Sequence, residues 1–120
     1  MFVMQNQTSL DATFQTCSSL NINTATPLTS KWGWSWVMGE NCCTLYNHVA
    51  TPNTTKCAGI PFPGTMTNMA MQVPPSSYHP GIVNVMFVDG SIRPISNSID
   101  LAAWRNIGTR NGKEFVEIPE

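Results

Sequence analysis

Gly81-Ile-Val-Asn-Val-Met-Phe-Val88, then Asp89-Gly90, then Ser91-Ile-Arg-Pro-Ile-Ser96 is the stretch whose reading decides the fold. Two apolar runs flank an Asp-Gly dipeptide, which supplies the positive φ angles of a type I′ turn. The stretch predicts a β-hairpin with strands over about 82–88 and 91–96. Counting outward from a two-residue turn sets Phe87 opposite Ile92, Val85 opposite Pro94 and Val83 opposite Ser96 as the core face, with Asn84, Met86 and Val88 on the other. Pro94 has no N–H to donate, so its nitrogen should point away from the partner strand, at a sheet edge or a bulge.

Downstream, Asn97-Ser-Ile-Asp-Leu-Ala-Ala-Trp-Arg-Asn-Ile-Gly108 carries a helix start and stop. Ser98 is the expected N-cap of a helix over about 98–107, Asp100 an acid in its first turn, and Gly108 a left-handed terminator. Leu101, Trp104 and Ile107, with Ala103, form the stripe that should face the sheet. Lys113 to Ile118 reads as a last short strand. Upstream, a short helix fits from about Ser9 to Ser19, capped by Thr8 or Ser9, with Leu10, Phe14 and Leu20 on one side. Lys31 to Met38 alternates as a strand does, placing Trp32, Trp34 and Trp36 on one face. Between Gly39 and Pro75 the chain is dense in Asn, Pro, Gly and Thr and reads as a long irregular excursion, with a short strand at Thr44 to Ala50. The class expected is α+β: an antiparallel sheet around the hairpin, one packed C-terminal helix, and long loops tied by disulfides.

Composition bounds the rest. The 120 residues suffice for one core and one domain, 1–120. Only 11% of residues are charged, against about 25% in typical soluble chains, and the net charge is -1. Six scattered Lys and Arg make no basic stripe for phosphates, so nucleic acid is not expected as a partner. Four cysteines, Cys17, Cys42, Cys43 and Cys57, lie in the polar first half and none forms a C-x-x-C pair. His48 and His79 are not spaced as zinc ligands, so disulfides are favoured over free thiols or a metal, and with them an oxidising compartment. Adjacent cysteines seldom bond each other, so Cys42 and Cys43 should reach separate partners. No run of 18 apolar residues occurs and Met1 to Leu10 is no signal peptide, so an export signal would lie upstream of Met1.

Tyr78-His-Pro-Gly-Ile-Val-Asn-Val-Met-Phe-Val-Asp-Gly-Ser-Ile-Arg-Pro-Ile-Ser96, followed by Ile99-Asp-Leu-Ala-Ala-Trp-Arg-Asn-Ile-Gly-Thr-Arg110, resembles the prepilin-type processing-associated H-x9-DG domain family. His79, nine residues, then Asp89 and Gly90 is that family's namesake spacing. Trp34-Ser-Trp-Val-Met-Gly39, Tyr46-Asn-His-Val49, Pro52-Asn53 and Cys57 match more loosely. The resemblance implies the C-terminal globular part of a bacterial envelope protein related to type IV pilins and type II secretion pseudopilins, of unassigned function. It implies a prepilin leader and a hydrophobic anchoring helix ahead of this part, display outside the inner membrane, and other pilin-like or envelope subunits as partners.

The motif itself reads as structure. Ten residues of strand separate His79 from Asp89 by roughly 30 Å at about 3.3 Å each, too far for a dyad. Extending the hairpin pairing outward instead sets His79 level with Asp100, where imidazole and carboxylate would brace the strand-to-helix corner. Asp89 and Gly90 are turn residues, and no D-x-D-x-D loop suggests calcium. No G-x-S-x-G elbow occurs, and Cys42 and Cys43 near His48 read as disulfide formers, not nucleophiles. The expectation is a non-enzymatic, extracytoplasmic, pseudopilin-like structural or display subunit with no cofactor and no metal. The alternative is a carbohydrate- or small-solute-binding module that stacks sugar rings on Trp32, Trp34 and Trp36.

Overall fold

The computed structural model describes residues 1–27, 37, 39, 44–60, 70–109 and 112. In chain order its elements are β1 (Phe2–Gln5), α1 (Leu10–Ser18), β2 (Cys57–Ile60), β3 (Met71–Gln72), β4 (Ile82–Met86), β5 (Ile92–Ser96) and α2 (Leu101–Ile107). Among the described residues, two helices and two small sheets make the fold α+β, the class expected. The strands read at Lys31 to Met38 and Lys113 to Ile118 fall almost wholly outside the described residues.

The hairpin is β4 and β5, but its register differs by one residue from the two-residue turn. Ile82 pairs with Ser96, Val83 with Ile95, Asn84 with Pro94, Val85 with Arg93 and Met86 with Ile92. The cause is the turn. The Gly90 N–H donates to the Phe87 carbonyl (2.9 Å), the Phe87 N–H donates to the Ser91 carbonyl (2.8 Å), and Gly90 has φ 81°. Asp-Gly thus closes a three-residue loop, Val88-Asp89-Gly90, with a glycine bulge at its end. An odd loop exchanges the faces of one strand. Val83 and Val85 are buried as expected, but on β5 it is Ile95 that faces in, while Ile92, Pro94 and Ser96 face out.

The ladder also explains Pro94. Phe87 to Ser91 and Asn97 N–H to the Gly81 carbonyl (2.8 Å) are its two ends, so odd-numbered residues exchange the cross-strand bonds. Pro94 is even, and its nitrogen points off the sheet at β5, an edge strand among the described residues.

Helix α2 lies across the inner face, where Trp104, fully buried, joins Val83, Val85 and Ile95 in one core, flanked by Phe87, Ile99 and Ile107. Its N-cap is Asp100, not Ser98: the Asp100 carboxylate accepts the Ala103 N–H at 2.9 Å. Ser98 instead donates its N–H to Ser96 Oγ, which places it in the turn before the helix. Gly108 caps the far end with right-handed geometry, φ -79°, so a left-handed terminator is not why glycine stands there.

The second sheet runs β1-β2-β3, with β1 and β2 parallel and β2 and β3 antiparallel. Parallel strands need a crossover, and α1 lies within it. Ser9 caps α1, accepting the Ala12 N–H, as expected. The buried face of α1 is Thr13 and Cys17, one turn apart, whereas Leu10 is exposed and Phe14 half-buried. Cys17, Cys57 and Met4 form the second core, with Leu20 and Ala70 against it. A Cys17–Cys57 disulfide fastens α1 to β2, with Cα atoms 5.9 Å apart, so, against expectation, Cys42 and Cys43 do not pair separately with these two. Residues 44–50, expected as a strand, are irregular.

Candidate functional site

Two consecutive residues of α2 grip three consecutive residues of the irregular segment. Trp104 Nε1 donates to the buried Ala50 carbonyl (2.8 Å). Arg105 donates to the Val49 carbonyl from Nε (3.2 Å) and Nη2 (3.0 Å), and from Nη1 to Asp11 on α1 (2.8 Å). Its guanidinium lies over the Phe14 ring, 5.4 Å from the centroid. His48 stacks on Trp104 with ring centroids 4.0 Å apart, and Tyr46 lies beside the pair, tilted against His48 at 5.3 Å and 6.4 Å from Trp104.

The His48 contact follows from how α2 ends. The Gly108 N–H bonds back to Arg105 and Asn106, which leaves the Trp104 carbonyl without its α-helical donor. His48 Nδ1 supplies the missing bond at 2.7 Å. A carbonyl only accepts, so Nδ1 carries the proton and Nε2 the lone pair. Burial pushes the imidazole below its ordinary pKa, and the Trp104 bond offsets this only in part. The ring also explains Gly108: a Cβ there would lie 2.6 Å from His48 Cγ.

Two asparagines hold the same segment on its other side. Asn47 donates its N–H to the Val73 carbonyl (2.8 Å) and Nδ2 to the Met71 carbonyl (2.8 Å), while Oδ1 accepts the Val73 N–H (3.0 Å). Its side-chain amide thus stands in for a strand beside β3. Asn53, at φ 60°, donates its N–H to the Pro75 carbonyl (2.9 Å), accepts the Ser77 N–H on Oδ1 (2.8 Å), and donates from Nδ2 to Asn97 Oδ1 (2.8 Å). The irregular segment is therefore fixed by side-chain amides, one ring and backbone carbonyls. Nothing in the spacing of Asn47, His48 and Asn53 announced this; the available signal was their density in a segment without alternation.

The residues expected to carry the motif do not converge. His79 is exposed, and its described hydrogen bond is from its backbone N–H to Ser77 Oγ (3.0 Å). Asp100 is occupied as a helix cap, and no His79–Asp100 bond exists among the described residues. The proposed corner brace fails because the extra loop residue shifts the register on which it depended, and the chain turns away after Asn97. Asp89 and Gly90 are turn residues: Asp89 Oδ1 accepts the Ser91 N–H at 2.9 Å. Trp32, Trp34 and Trp36 lie outside the described residues, as do Cys42 and Cys43. Among the described residues, no group of three or more His, Cys, Asp or Glu could hold a metal ion, and no helix is long and apolar enough to cross a membrane.

A family model described as a protein of unknown function, DUF1559, matches residues 3–102. The chain belongs to the DUF1559 family. The DUF1559 match runs from β1 into the first turn of α2 and takes in both sheets, the disulfide, the grip on Val49 and Ala50 from its loop side, and the His79 to Gly90 stretch. Comparison with curated proteins and with solved structures finds no match.

Proposed function

We propose that this protein is a non-enzymatic, extracytoplasmic, pseudopilin-like subunit that works through contacts with other pilin-like or envelope proteins. One observation carries the reading. The polar and aromatic groups that most resemble a site, His48, Trp104 and Arg105, are engaged in holding the chain to itself, while the outer face of the hairpin leaves Ile82, Met86 and Ile92 exposed, Met86 by 73% and Ile92 by 67%. A scaffold that fixes irregular segments and presents an apolar face suits a structural subunit. The Cys17–Cys57 disulfide supports an oxidising compartment. Membership of DUF1559 is compatible with this role, and the His79, Asp89, Gly90 spacing supports kinship with prepilin-type proteins.

The test is to follow the full-length gene product in its native cell by fractionation and by cross-linking to neighbouring proteins. The expected result is an oxidised, extracytoplasmic protein captured with other envelope subunits. A reduced cytoplasmic protein, or one with no envelope neighbours, overturns the reading.

A further inference from the structure

From the free edge of β4 we infer that two copies of this chain pair there, antiparallel across a two-fold axis at Asn84. The ladder directs the backbone groups of the odd-numbered residues of β4 toward β5, so those of Ile82, Asn84 and Met86 point the other way. Among the described residues no hydrogen bond meets them, and β4 has β5 as its one strand neighbour. The opposite edge, on β5, is blocked by Pro94 at its centre and bears Arg93. The β4 edge has neither proline nor charge, the devices by which edges avoid pairing.

The strand is also its own complement. Laid antiparallel on a second copy, Ile82-Val-Asn-Val-Met86 puts Ile82 opposite Met86, Val83 opposite Val85 and Asn84 opposite Asn84. The outward-pointing residues then fall into hydrogen-bonded pairs, each exchanging both backbone bonds, and the two asparagine amides lie side by side on the axis. The valines meet on the face that carries the core, while on the other face two Ile82–Met86 pairs flank the central asparagines. The result is a continuous four-stranded sheet, β5-β4-β4-β5, with an isologous contact. No charge is buried in it, and both partners are neutral at the contact, so nothing repels. An edge of five residues is a small interface, which makes the pair weak, with a dissociation constant on the order of 100 μM.

This pairing deepens the structural-subunit reading and rests on it for its biological meaning, though the contact is testable alone. The test is sedimentation equilibrium of the oxidised chain from about 10 μM to about 1 mM, for the wild type, Asn84→Asp and Asn84→Lys, and for an equimolar mixture of the two variants. Like charges set opposite each other on the axis should weaken each variant's self-association about tenfold or more, and mixing them should restore it. Position 84 directs no backbone bond to β5, so the hairpin should keep its unfolding midpoint. If Asn84→Lys fails to fold, hydrogen exchange on the wild type decides: the Ile82, Asn84 and Met86 amides should gain protection with concentration while those of Val83 and Val85 do not change. A wild type that stays monomeric to about 1 mM, charged variants that associate as well as it does, a mixture no tighter than its parts, or exchange independent of concentration each overturns the pairing. A monomer found in the envelope leaves the previous reading standing, and a dimer found in the cytoplasm leaves only the pairing.

Discussion

The ring of His48 occupies the space that a side chain at Gly108 would need, since a Cβ on Gly108 would fall 2.6 Å from Cγ of the imidazole. At φ -79° the backbone there suits any residue, so glycine serves proximity and not conformation. Gly108→Ala should therefore destabilise the chain by about 1–3 kcal/mol through overpacking. In a His48→Ala background the same substitution should be neutral or slightly stabilising, because the ring is gone and alanine loses less chain entropy than glycine on folding. Urea unfolding of the four chains in a double-mutant cycle measures the difference. Additive effects would remove the proximity argument.

Protonation of His48 should loosen the same seam. Burial lowers the folded-state pKa, so below about 6.5, the ordinary value, the unfolded chain takes up the proton more readily than the folded one. Stability is then full above that pH and falls as pH drops toward the folded-state value. Among the described residues, the groups facing the ring are Tyr46 and the Trp104 indole and carbonyl, with no carboxylate to favour the cation. The urea midpoint of the wild type should fall between pH 7.5 and pH 5.5, while that of His48→Gln should change less over the same window. Equal slopes would place the pH dependence elsewhere.

What the chain discloses before folding and what it withholds have separate causes. The hairpin, the inner face of β4, the Ser9 cap and the edge position of Pro94 each follow from a local rule, and each is found. The register of β5 does not follow, because Asp89-Gly90 ends a three-residue loop as readily as it forms a two-residue one; that single residue moved Ile95 inward and disposed of the His79–Asp100 brace. The β1-β2-β3 sheet is illegible for another reason. Its strands are two to four residues long and β1 pairs in parallel with β2 across some fifty residues, so no alternation or turn marks it. The seam at His48 was hidden because each of its bonds joins a side chain to a carbonyl distant in sequence, which no pattern along the chain can record.

Asn53 combines a left-handed backbone with three hydrogen bonds, and substitutions separate the two contributions. Asn53→Gly keeps the φ of 60° accessible and loses the bonds to Ser77 and Asn97. Asn53→Ala loses those bonds and adds the strain of a left-handed alanine, about 1 kcal/mol or more. The glycine variant should therefore cost about 1–3 kcal/mol and the alanine variant measurably more. Thermal unfolding that ranks them the other way would show that the backbone angle does not matter at this position.

The Cys17–Cys57 bond closes a loop of 40 residues and joins α1 to β2 inside the second core. Chain entropy alone makes such a crosslink worth about 4 kcal/mol, because the reduced unfolded state regains freedom that the oxidised one lacks. In a domain of this size, typical net stability is only about 5–15 kcal/mol, so the loss is a large share of the total. Cys17→Ser with Cys57→Ser should lower the urea midpoint accordingly. The loss should concentrate in β1, α1 and β2, whose amides should exchange faster, while those of Val83, Val85 and Ile95 around Trp104 stay protected. Two cores joined through the His48 seam need not fail together. Uniform loss of protection across both would show instead that the disulfide holds the chain as one cooperative unit.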